Sequence, residues 1–169
     1  LSCAILNRFC PIERMNQNIG EALGGKQFGN INFLPFLGSN SEVNDLMNAI
    51  DVDLTGLSGA EGWNLPAFNT SCLGKWSCVL NATSHKDWAT EENSILIQPD
   101  GKKPVYDELF FFKGSEFNQG NINTFSEEDF NLAIDKALEH AKTDNEGGRR
   151  LKCKFSYENC VNNILENIF

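Results

Sequence analysis

Only two histidines occur among 169 residues, and 14 Lys and Arg face 23 Asp and Glu. The scarcity of histidine restricts both imidazole catalysis and Cys/His metal centres. The net charge of −9 opposes approach to a phosphate backbone, so no nucleic-acid partner is expected. No apolar run approaches the ~18 residues of a membrane span, and the longest, such as Leu109–Phe112, are strand-sized. No transmembrane segment is therefore expected. A G-x-S-x-G nucleophile elbow, a phosphate-cradling glycine motif and an internal repeat are also missing. The opening "LSCAILNRFC" lacks the basic and long apolar regions of a signal peptide, which fits a mature chain whose leader is gone.

What is present points to the secretory route. Six cysteines fall in three close pairs: Cys3 and Cys10, Cys72 and Cys78, Cys153 and Cys160. Their spacing is too wide for the ligand pairs of structural zinc, and the even count suits disulfides. Gly74 lets the chain turn sharply between Cys72 and Cys78, which favours a local bridge there and leaves the pairing of the other four cysteines open. Two Asn-x-Ser/Thr triplets, starting at Asn69 and Asn81, bracket that pair and mark both asparagines as glycosylation candidates. The expectation is one secreted globular domain spanning 1–169, with its signal peptide removed.

Periodicity predicts about four helices. Pro11 opens one with Ile12, Met15, Ile19 and Leu23 on one face and Gly24-Gly25 at its end. Ser39 and Glu42 form a capping box for a second, carrying Val43, Leu46, Met47 and Ile50. Ser126 caps a third, with Glu127, Glu128 and Asp129 in its first turn and Phe130, Ile134, Ala137, Leu138 and Ala141 along its apolar stripe. Val161, Ile164, Leu165 and Ile168 space a fourth. Asp100-Gly101 predicts a hairpin with strands near 94–98 and 104–112. "LKCKFSY" alternates as a half-buried strand with Cys153 inward. From 51 to 93 periodicity disappears, giving a long irregular loop region. The predicted fold class is α+β: about four helices on a small antiparallel sheet, stabilised by disulfides.

Several constellations are candidates for chemistry. Asp51, Asp53 and Thr55 alternate before Gly56 in the opening rhythm of a calcium loop, with Glu61 one place short of the bidentate position; calcium is the one cofactor with a candidate site. Turn propensity alone also produces such a run. His85, beside Asp87, is the better base candidate, while His140 reads as a cation complementing a helix C-terminus. Asp107 and Glu108 break an apolar run; an exposed acid on an alternating strand is the expected reading, and an inward acid with a raised pKa is the alternative that carboxylate catalysis would need. Arg149, Arg150, Lys152 and Lys154 form a basic island that reads as a solvated strand face. Trp63, Trp76 and Trp88 all fall in the irregular region, and Trp76 beside Lys75 would be held out by a Cys72–Cys78 staple.

The function that fits these features is a secreted, N-glycosylated, disulfide-bonded binding domain that recognises a protein or glycan through the Trp-bearing loop. An extracellular structural subunit, an effector and an inhibitor all answer to that description. A non-enzymatic role is favoured. The alternatives are a small secreted hydrolase using paired carboxylates, with or without calcium, and a carrier of an apolar ligand suggested by 13 phenylalanines.

Overall fold

The computed structural model describes residues 2–4, 11–107, 110–117 and 119–168, which group into two compact units, Leu1–Asp45 and Leu46–Phe169. The first unit carries strand β1 (Ser2–Ala4) parallel to β2 (Asn32–Leu34), with helix α1 (Ile12–Ala22) between them in sequence. Gly24 and Gly25 end α1 with φ of 60° and 71°, a left-handed exit that glycine adopts at little cost. The boundary between the units falls inside α2 (Asn40–Ala49), whose capping box forms as the sequence predicts: Glu42 N–H donates to Ser39 Oγ, and Ser39 N–H donates to the Glu42 carboxylate at 2.9 Å.

The second unit is built on three parallel strands in the order β3 (Val52–Gly56), β4 (Trp76–Leu80) and β5 (Ile95–Ile97). Helix α3 (Leu65–Cys72) connects β3 to β4, and a 3-10 turn at Thr83–Asp87 lies between β4 and β5. A two-stranded antiparallel ribbon follows, β6 (Gly101–Pro104) with β7 (Asn121–Thr124), then helices α4 (Glu127–His140), α5 (Glu146–Lys154) and α6 (Tyr157–Ile168). On one face of the sheet Cys78, Leu80, Ile95 and Ile97 pack against Ala133 and Ala137 of α4. On the other, Val79 packs with Ala67 of α3, Leu151 of α5 and Trp88. The arrangement is a helix–sheet–helix sandwich.

This corrects the expected fold class. The described residues hold six α-helices, not about four, and the main sheet is parallel. The stretch 51–93, expected to be irregular, contains two of its strands and α3. A parallel strand covered on both faces is apolar or small throughout, so β4 shows no alternation to read. Its flanking glycines, and Pro66 in the first turn of α3, mark strand–helix junctions and not one long loop.

The expected hairpin is also replaced. β5 pairs with β4, while Asp100 N–H donates to Thr124 O and Thr124 Oγ1 donates to the Asp100 carboxylate, so the turn hands the chain from sheet to ribbon. "LKCKFSY" lies largely in α5, with Leu151 buried and Cys153 exposed. The disulfide expectation fails where it can be seen: Cys72, Cys78, Cys153 and Cys160 all carry free thiols. Cys72 ends α3 and Cys78 sits in mid-β4, inside regular elements that hold the two sulfurs apart. Cys10 and the side chain of Cys3 lie outside the described residues.

Candidate functional site

The calcium-like rhythm proves to be a strand with a bulge. The β3–β4 register slips between Asp53 and Gly56, and Asp53 folds its carboxylate back onto Thr55, accepting from Thr55 N–H at 3.2 Å and Thr55 Oγ1 at 3.0 Å. Asp53 is 5% exposed, and burial raises its pKa against the lowering pull of its bonds to Thr55 and Ser77. Asp51 and Thr55 are exposed, and Glu61 contributes its main-chain carbonyl to Ser84 Oγ at 2.9 Å. No group of three His, Cys, Asp or Glu side chains gathers among the described residues as a metal would require.

Beneath Asp53 the sheet is polar but self-satisfied. Ser77 Oγ donates to Ala67 O and lies 3.3 Å from Ser71 Oγ. Gly56 is needed here, because a Cβ would run into Cys78 O and the Val79 side chain. The Cys78 thiol is pushed up to about 12, first by burial and then by the charge of Asp53, which removes it as a nucleophile. Burial likewise raises Cys72, with Lys152 opposing.

His85 is fully buried and stands apart from a catalytic pairing. Its Nδ1 lies 2.8 Å from Leu80 O, which fixes the proton on that nitrogen, and Nε2 has no hydrogen-bond partner among the described residues. The ring meets Trp88 edge-on. His140 instead lies at the end of α4, 4.6 Å from the Trp76 ring.

The three tryptophans separate. Trp88 is 2% exposed, a core residue whose Nε1–H donates to Trp63 O. Trp63 is half-buried in an edge-to-face cluster with Phe68 and Phe155. Trp76 is half-buried on β4, its Nε1–H donating to Thr143 Oγ1, and Lys75 beside it is also half-buried. The Trp-bearing loop expected from the sequence is thus dispersed between the core and the central strand of the sheet. The basic island belongs to α5, where Arg149 is bonded to Asp144 and Arg150 to Glu92.

Sequence reasoning missed a different aromatic surface. Residues 105–120 leave the ribbon between β6 and β7, and within this excursion Tyr106, Phe112 and Phe117 are 50%, 51% and 75% exposed. Tyr106 and Phe117 line a groove of about 270 Å³ together with Pro104, Glu116, Gln119 and Asn121. Gln119 ties the excursion across its neck, donating to Phe112 O at 2.7 Å and accepting from Phe112 N–H at 3.2 Å. Asp107 closes a turn by accepting from the N–H groups of Phe110 and Phe111, which is how an acid interrupts this apolar run; Glu108 lies outside the described residues. The available signal was aromatic residues interleaved with Gly, Ser, Asn and Lys, which a strand facing a core would not carry. Of the two sequon asparagines, Asn69 is exposed on α3, and Asn81 is half-buried with Nδ2 donating to Gln98 Oε1. No helix among the described residues is long and apolar enough to cross a membrane. The chain matches no known protein family and no curated protein.

Proposed function

We propose that this protein is a secreted, N-glycosylated interaction domain that captures a protein or glycan partner with the aromatic excursion between β6 and β7. One observation carries the reading: Tyr106 and Phe117 stand half or more out of the surface along one groove, and Phe112, bonded to Gln119 of its lining, stands half out of the same excursion. Covering an aromatic side chain is worth about 1–2 kcal/mol at the burial still available to each, so three in one patch supply a useful share of a micromolar complex. Aromatic anchors are the side chains that dominate binding hot spots, and their rings also stack on sugar faces. The two sequons support the extracellular setting.

The test joins capture to stability. The immobilised protein is exposed to the extracellular fluid of its source and to a glycan array, beside the Tyr106→Ser, Phe112→Ser, Phe117→Ser triple variant. Partner capture is expected to fall at least tenfold while the melting temperature stays within about 2 °C, since these rings add little to the core. Capture that survives the triple variant would sink the reading.

A further inference from the structure

We propose that the outer edge of β5 accepts a short extended peptide as a fourth strand running antiparallel to β5, one with a basic residue at its N-terminal end, an acidic residue at its C-terminal end and apolar residues between. This surface is separate from the aromatic excursion. β5 ends the strand order, so one side of its backbone has no partner strand among the described residues. Asn81 N–H donates to Ile97 O across the β4–β5 seam, which turns the main-chain groups of Leu96 and Gln98, one residue to either side, outward. A groove of about 190 Å³ runs along this edge, lined by Ile95, Leu96, Ile97 and Ala133 and walled by Leu132 of α4, which is 60% exposed.

The poles of the groove specify the occupant. α4 runs antiparallel to the strands: its start is anchored near the end of β5 by the bond from Asp100 N–H to Thr124 O, and its end by the stacking of His140 on Trp76 at the start of β4. Asp129 therefore lines the end of the groove nearest Ile97, and Lys136 the end nearest Ile95. Seven helical residues separate them by about 10 Å, the length of roughly three extended residues. Lys136 makes no hydrogen bond or ion pair among the described residues, and Asp129, which accepts from Ser126 Oγ, retains carboxylate lone pairs for a cation. A bare strand edge beside a helix, apolar in the middle and oppositely charged at its ends, is the recognition mode of strand addition: backbone bonds hold the segment and its side chains select it.

The probe is the blocked, dye-labelled peptide Lys-Val-Thr-Val-Glu, followed by fluorescence anisotropy and by amide exchange of Leu96 and Gln98. Binding with Kd on the order of 100 μM is expected, with slowed exchange at those two amides. Lys-Val-Pro-Val-Glu should bind at least tenfold more weakly, because proline lacks a ladder donor. Lys136→Glu should weaken the original peptide about fivefold and restore affinity for Lys-Val-Thr-Val-Lys. Leu132→Asp, at an exposed position that leaves the core untouched, should abolish binding. The proposal is overturned by no binding at 1 mM, by equal binding of the proline peptide, or by affinity indifferent to Lys136→Glu and Leu132→Asp. The triple variant of the aromatic excursion should bind the probe normally, so each surface fails or stands by itself.

Discussion

Asp53 has no cation among its bonded neighbours, only the hydroxyls of Thr55 and Ser77 and one amide. Its folded pKa lies above the unfolded value, so the folded chain holds the proton better, and the ionised form costs stability at neutral pH. That cost lifts as the pH falls through the folded pKa and is gone below the unfolded one. Asp53→Asn is therefore expected to be more stable than the wild type at neutral pH, with the difference shrinking toward the ordinary carboxylate range. Urea denaturation across that range checks it; a difference that does not vary with pH would contradict the assignment. From sequence the same aspartate looked like a metal ligand. Alternating oxygen donors before glycine serve a calcium loop and a bulged strand equally well, and only the position of Ser77 beside Asp53 decides between them.

At the scale of elements, the two glycines opening α5 show how local preference yields to packing. Glycine inside a helix costs about 1 kcal/mol relative to alanine, so Gly→Ala there ordinarily stabilises. Here the sign should reverse. A Cβ on Gly147 would strike Glu92 O and one on Gly148 would strike Ser71 O, both of them backbone. Gly148→Ala is expected to lose about 2 kcal/mol in urea titration, the usual scale of overpacking. The N-terminus of α5 is held in this contact by Asn145, fully buried, whose Nδ2 donates to Lys75 O and Asn93 O and whose Oδ1 accepts from Gly148 N–H.

The same features explain what the sequence revealed. α1, α2, α4 and α6 were legible because each has an apolar stripe or a cap of standard spacing, such as Ser126 accepting from Asp129 N–H. α5 was not, since its glycines answer to another element and a short Leu-Lys-Cys-Lys-Phe run reads with period two. β4 was hidden by being covered on both sides, and β3 by its short Val-Asp-Leu-Thr-Gly run, whose buried Asp53 and exposed Thr55 read as turn residues. At the candidate site, the aromatic character of 105–117 was visible, but the exposure of Tyr106, Phe112 and Phe117 depends on β6 and β7 pairing around them with no helix among the described residues covering them.

For the whole molecule, the thiols bear on where it resides. Cys153 and Cys160 are exposed, whereas Cys78 is buried with its pKa pushed up to about 12. Native protein purified without reductant should therefore show rapid reaction of Cys153 and Cys160 with a disulfide reagent, and of Cys78 only after unfolding. Failure of Cys153 and Cys160 to react would mean that they are already oxidised.

The triplet at Asn69 depends on Ser71, whose hydroxyl is sealed under the sheet against Ser77, while Thr83 of the Asn81 triplet stays exposed. Sugar transfer at Asn69 would have to occur before α3 closes onto β4, whereas Asn81 keeps its hydroxyl partner in view after folding. Occupancy at Asn69 would then act as a clock, recording how long the nascent chain stayed open.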